Sequence, residues 1–219
     1  MALKFSGRRG LFTAIGLAAI LAAPTSAVAH VQAQGQLRLQ MKLPGPPAKL
    51  PKSPSSSSGH ARRLDFLFGA LKAAPDAASA KEVEARIWEI WLETPSDTAA
   101  LLMARAKVAM VAQQTDVALK LLDTVIKLRP DYTEAWDQRA TLYYLKDDYA
   151  DALANLEQVL IREPRQFAAL AGVGMIMKDL GQNKRALDAF RMALAINPHL
   201  EKVPELVKQL SEKIEGRNI

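Results

Sequence analysis

Histidines, cysteines, clustered carboxylates and glycine-rich loops are the usual carriers of chemistry in a chain of 219 residues, and here they are sparse or badly spaced. His30, His60 and His199 are the only histidines, and no two of them have metal-ligand spacing. Cysteine is absent, which removes a thiolate nucleophile, a disulfide framework and a lipidated N-terminal cysteine. Neither a phosphate-cradling glycine loop nor a Gly-x-Ser-x-Gly elbow occurs. Asp147, Asp148 and Asp151 form a dense acidic group that could offer oxygens to a divalent cation, but their place fits a helix cap better. The sequence reads as a non-enzyme, with no catalytic residue, no metal ligand and no cofactor. What chemistry remains is that of binding.

The elements that would position a binding surface are legible as a repeat. Pro130, Pro164 and Pro198 stand 34 residues apart, and the positions between them recur in step over 99–132, 133–166 and 167–200. Position 4 holds Leu102, Trp136 and Leu170; position 8 holds Ala106, Ala140 and Gly174. Position 20 holds Ala118, Ala152 and Ala186, position 24 Leu122, Leu156 and Phe190, and position 27 Val125, Val159 and Ala193. The first set lies on one stripe of a helix and the second on one stripe of another. Small residues at 8 and 20 let the two backbones approach. Asp131 followed by Glu134, and Asp148 followed by Asp151, place acceptors where helices begin, and the prolines break the chain before each new hairpin. Gly181 marks one hairpin turn, but Gln113 and Asp147 hold the matching places, which predicts strain or another turn geometry there.

This pattern resembles that of tetratricopeptide repeat (TPR) proteins, and the resemblance implies an all-α, TPR-type α-solenoid of helical hairpins. Residues 62–98 read as a degenerate hairpin of the same kind, in which Leu67 and Leu71 pack from a short first helix and Val83, Ile87 and Ile90 from a second. Residues 201–219 read as a cap helix and tail, with Val203, Leu206, Val207, Leu210 and Ile214 at helical spacing. The strings from Glu134 to Tyr144 and from Glu163 to Gly172, with Ile87-Trp88 and Trp91-Leu92, are similar to a group of small exported bacterial TPR proteins without assigned activity.

In TPR domains that hold peptides, positions 2, 5, 6, 9, 12 and 13 of the first helices face a concave groove. Carried onto this chain, the resemblance makes Met103, Lys107 and Met110 partner-binding candidates in the first repeat. In the second repeat they are Glu134, Asp137, Gln138, Thr141 and Tyr144, and in the third Met175 and Lys178. The chaperone-tail type of TPR clamps a carboxylate with Lys and Asn at positions 5 and 9. Met103 and Lys107 stand there instead, so that clamp is not expected. Arg105 and Arg139, both at position 7, are expected to pair with carboxylates such as Glu134 or Glu157, and Trp136 is expected in the core.

Residues 1–29 read as a signal peptide, with Lys4, Arg8 and Arg9 ahead of an uncharged apolar stretch from Leu11 to Ala23 and a small-x-small site. Cleavage between Ala29 and His30 would leave no transmembrane segment, and a periplasmic location is expected. An ordinary secretory signal fits better than a twin-arginine one. Residues 30–61 read as a disordered Pro/Ser/Gln-rich basic linker. From His30 to Arg63 there are six basic residues and no acid, whereas from Leu64 onward 20 Lys and Arg meet 23 Asp and Glu. The overall charge of +6 therefore sits in a leader and linker and argues for no nucleic-acid partner. A weak contact of the linker with an envelope surface is a further expectation. The reading is an exported scaffold or adaptor that holds a protein partner in its groove; the alternatives are a structural subunit of an envelope complex, held through convex or end faces, and a small-ligand carrier, which the groove's few aromatics disfavour.

Overall fold

The computed structural model describes residues 57–94 and 96–216, so the leader and most of the linker lie outside the described residues. Nine helices and no strand are present among them. They are α1 (Ser57–Ala73), α2 (Ala77–Leu92), α3 (Asp97–Val111), α4 (Thr115–Leu128) and α5 (Thr133–Leu145), followed by α6 (Tyr149–Arg162), α7 (Phe167–Asp179), α8 (Asn183–Ile196) and α9 (Val203–Glu215). The 34-residue period is reproduced in space: α4, α6 and α8 each begin 34 residues after the last, as do α5 and α7.

Three hairpins, α3–α4, α5–α6 and α7–α8, are held by the repeated stripe. Ala118, Ala152 and Ala186 are fully buried, as are Val125, Val159 and Ala193 at position 27. The small residue at position 8 is matched to the large one at position 24. A methyl group added at Gly174 would lie 2.6 Å from the Phe190 ring, whereas the equivalent pairs are Ala106 with Leu122 and Ala140 with Leu156. The third hairpin has exchanged a methyl on one helix for an aromatic on the other.

All three hairpin turns use the same geometry. Gln113, Asp147 and Gly181 have φ of 57°, 58° and 74°, so the two side-chain-bearing residues adopt the left-handed conformation that glycine adopts in the third. That resolves the expectation in favour of strain, at about 1 kcal/mol per non-glycine residue.

The caps follow local chemistry. Asp148 accepts from the Asp151 amide at 3.2 Å and Ser96 from that of Ala99 at 3.2 Å. Asp131 does not cap α5: Tyr132 holds the cap position, and the Asp131 carboxylate accepts from Arg129 at 2.8 and 3.0 Å. Two nearby donors on one guanidinium outcompete a single amide. At the far end, α9 buries Val203 and Leu210 against α8 and keeps Glu205, Lys208 and Glu212 in solvent, which closes the stack.

The first hairpin departs from the sequence reading. Its helices do pair, through Leu64, Leu67, Phe68, Leu71, Ile87 and Ile90, but the core they build is completed by Phe167 of α7 and flanked by Ile196 and Leu200. Trp88 and Trp91 pack on Phe167 with ring centroids 6.1 and 5.4 Å away. Polar contacts run the same way. Tyr132 donates its hydroxyl proton to the Leu92 carbonyl at 3.0 Å, and Asn197 donates to Glu84 at 3.0 Å. The Arg165 guanidinium pairs with Asp65 and lies 4.5 Å from the Phe68 ring. So α2 runs back along the stack, crossing the N-terminal ends of α5 and α7 and the segment leading into α9. Trp91 Nε1 is the one buried side-chain donor among the described residues without an acceptor.

Candidate functional site

The first helices of the three repeats, α3, α5 and α7, carry every groove position named above. Their ends and their middle differ. Met103 and Met175 are 4% and 2% exposed and belong to the two array cores, so they fill space between helices and offer nothing to a partner. Met110 and Lys107 on α3, and Lys178 on α7, are partly exposed.

The middle of the groove is a polar cluster on α5. Glu134 is 2% exposed and accepts a hydrogen bond from Gln138 at 2.7 Å, one helical turn on. Burial holds its carboxyl above the usual carboxylate range, against the opposing pull of the Gln138 bond and of the Lys107 ammonium. Asp137, partly exposed, is pushed up to about 8, chiefly by burial and further by the neighbouring Glu134 charge. No hydrogen bond or ion pair reaches the Asp137 carboxyl from the other described residues. Near neutral pH this carboxyl is largely protonated and can donate as well as accept.

Thr141 spends its hydroxyl on the Asp137 carbonyl at 3.1 Å, within its own helix. Tyr144 is buried and donates to Asp179 at 2.8 Å, tying α5 to α7 across the groove. Its ring also lies 5.9 Å from that of Tyr149. Of the ten candidates, then, Lys107, Asp137, Gln138 and Lys178 keep polar atoms at the groove surface. Met103, Met175, Glu134 and Tyr144 shape it from beneath. Thr141 and Met110 lie between these groups.

The cluster behind α5 was only half legible. Arg139 pairs with Asp123 on α4 and donates to Asn155 on α6 at 2.7 Å, where Glu134 or Glu157 had been expected. Trp136 is partly buried, donates to the Pro130 carbonyl at 3.0 Å, and has the Arg139 and Arg162 guanidiniums 4.8 and 4.9 Å from its ring. Arg105, its counterpart in the first repeat, is exposed. The available signal for this cluster was the arginine at position 7 beside a tryptophan. Among the described residues no group of three His, Cys, Asp or Glu side chains could hold a metal ion.

The profile described as tetratricopeptide repeat matches residues 103–152 and 138–201. A TPR repeat-containing protein of Rhizobium etli is 36% identical over 162 residues, which is 74% of this chain and 79% of that protein. The general transcriptional corepressor ssn6 of Schizosaccharomyces pombe is 26% identical over 96 residues, but the chain spans 9% of its length. Among solved structures, the first TPR of Spaghetti (RPAP3), bound to an HSP90 peptide, superposes with a TM-score of 0.52 at 14% identity, over 57% of this chain and 98% of that one. The Sgt2 TPR domain from Aspergillus fumigatus gives 0.51 at 18% identity, over 56% and 82%. At such identities the likeness is one of fold.

Proposed function

This chain belongs to the tetratricopeptide repeat family, and from that premise we propose that it is an exported, non-catalytic scaffold holding a segment of a protein partner in the groove of α3, α5 and α7. One observation carries the reading: the Asp137 carboxyl stands partly exposed at the groove surface with no hydrogen bond or ion pair from the other described residues, beside Glu134, whose charge helps to raise its pKa. A segment that supplies amide or cationic donors would give this carboxyl the partner it lacks, a hydrogen bond worth about 0.5–1.5 kcal/mol, or more where the donor is charged. A structural neighbour holds an HSP90 peptide. The chaperone-tail carboxylate clamp is not the mode here, because Met103 is buried where the clamp needs a lysine. Export rests on the pattern of residues 1–29, which also supports the periplasm as the place of action.

A second reading, the structural subunit held by an end face, is favoured by α3. Leu101 and Val108, outside the groove positions, are 55% and 69% exposed at the open end of the stack. Native capture from an envelope extract separates the two. Asp137→Ala with Lys178→Ala, at unchanged helical content, abolishes capture if the groove is the site. Loss only with Leu101→Gln and Val108→Gln assigns the end face instead.

A further inference from the structure

The solvent side of the α1–α2 hairpin carries a shallow cavity of about 410 Å3 whose wall combines charge and apolar surface. Arg62, Arg63 and Arg86 supply three guanidiniums, Phe66, Leu67 and Ile90 the apolar part, and Glu89 the single acid. Phe66 is 75% exposed, more than any other large apolar side chain among the described residues. Two acids beside the wall, Glu93 and Asp65, have basic partners. Glu93 accepts from His60 at 2.7 Å and lies 4.0 Å from Arg63, and Asp65 is turned to Arg165 on the array. Arg86 has no ion pair among the described residues. The same sign of charge continues along the chain toward its start: Arg38, Lys42, Lys49 and Lys52 all precede Asp65, the first acid in the sequence.

We propose that this face docks the protein on a bilayer surface rich in anionic phospholipid, the guanidiniums meeting lipid phosphates and Phe66 entering the boundary of the acyl region. Guanidinium is weakly hydrated and matches phosphate with paired donors, which suits a half-desolvated interface. One aromatic side chain with several basic residues gives reversible binding driven by both apolar burial and charge. An acidic protein segment fits less well. The recess is shallow and its most exposed apolar group, Phe66, belongs to this chain and projects outward, which suits an acceptor that is soft and uniform. The docking face shares no residue with the groove positions, so the two occupants do not compete for the same side chains.

The absence of cysteine makes the test clean. Gly69 on α1 is exposed, and an added Cβ there meets no atom within 4 Å, so Gly69→Cys in the full chain accepts an environment-sensitive fluorophore without disturbing packing. Lys184→Cys on α8 is the control. With vesicles of phosphatidylcholine containing one-third phosphatidylglycerol, the label at 69 should shift to the blue and the label at 184 should not. Pure phosphatidylcholine should leave both unchanged. Arg62→Gln, Arg63→Gln and Arg86→Gln together should weaken the response about 100-fold, at about 1 kcal/mol per basic residue. No shift at 69, an equal shift with pure phosphatidylcholine, or an equal shift at 184 overturns the proposal. So does soluble polyglutamate producing the same shift as the anionic vesicles, which would assign the face to an acidic protein.

Discussion

The first and third repeats share one 34-residue pattern and end in opposite states. Ten of the 13 residues of α7 are buried, against four of the 15 of α3. The difference lies in the surroundings of the helices. Helix α7 has α5 and α6 before it, α8 and then α9 behind it, and the α1–α2 hairpin across its N-terminus through Phe167. The hairpin that could have stacked in front of α3 is spent on α7 instead, which leaves Leu101, Val108 and Val111 in solvent. A repeat motif thus encodes a hairpin, and its neighbours decide which of its faces becomes core.

Phe167 is the sharpest point at which to break the contrast. Phe167→Ala should lower stability by about 3–5 kcal/mol. It should also release α1 and α2 first, seen as lost amide-exchange protection over residues 60–92 while α4 to α6 keep theirs. Uniform loss of protection would mean that the hairpin is integral to the array and not an added strut.

Next comes the tightness of the third hairpin. Gly174→Ala drives a methyl into the Phe190 ring and should cost about 1–3 kcal/mol by denaturant unfolding. Combined with Phe190→Leu it recreates the pair found in the other two repeats, and the double variant should recover most of the loss. A purely additive result would contradict the paired fit.

Between the two repeats, Asp137 makes stability depend on pH. Its folded value of about 8 lies above the ordinary 3.8, so the folded state holds the proton more tightly. Stability is then greatest below about pH 4 as far as this group is concerned, and falls as pH rises toward 8. Asp137→Asn should stabilise by about 1–3 kcal/mol at pH 9 and change little at pH 4. A difference independent of pH would place the carboxyl in ordinary solvent.

The smallest expected effect compares the two turns directly. Gln113→Gly in the first repeat should raise stability by about 1 kcal/mol, and Gly181→Ala in the third should lower it by a similar amount, because both positions are left-handed. Equal and opposite changes in the denaturation midpoint would confirm that the turns share one geometry.

The repeat itself was legible because stacking every 34 residues imposes the same steric demand each time, and Ala118, Ala152 and Ala186 record it. The same regularity sets Gln113 and Asp147 where the third repeat has Gly181, a conflict that the period alone displays. Docking of the first hairpin was not legible, since Asp65 and Arg165 meet across 100 residues of chain and no local period announces such a pair. The nearest sign was Trp88 and Trp91, two large aromatics on one side of a helix, which need more cover than a single hairpin provides. The groove was legible in position but not in depth. Periodicity places Met103, Glu134, Tyr144 and Met175 on the inner side, while their burial depends on how closely neighbouring first helices approach.

The central claim, that a partner lies in the groove and not on the open end, turns on two adjacent residues. Lys107 is partly buried on the groove side of α3, and Val108 is 69% exposed on the open face. A photo-crosslinking side chain placed at each in turn, in living cells, should yield a crosslinked protein partner from position 107 and none from 108. Crosslinking from 108 alone would move the partner to the end face and contradict the account.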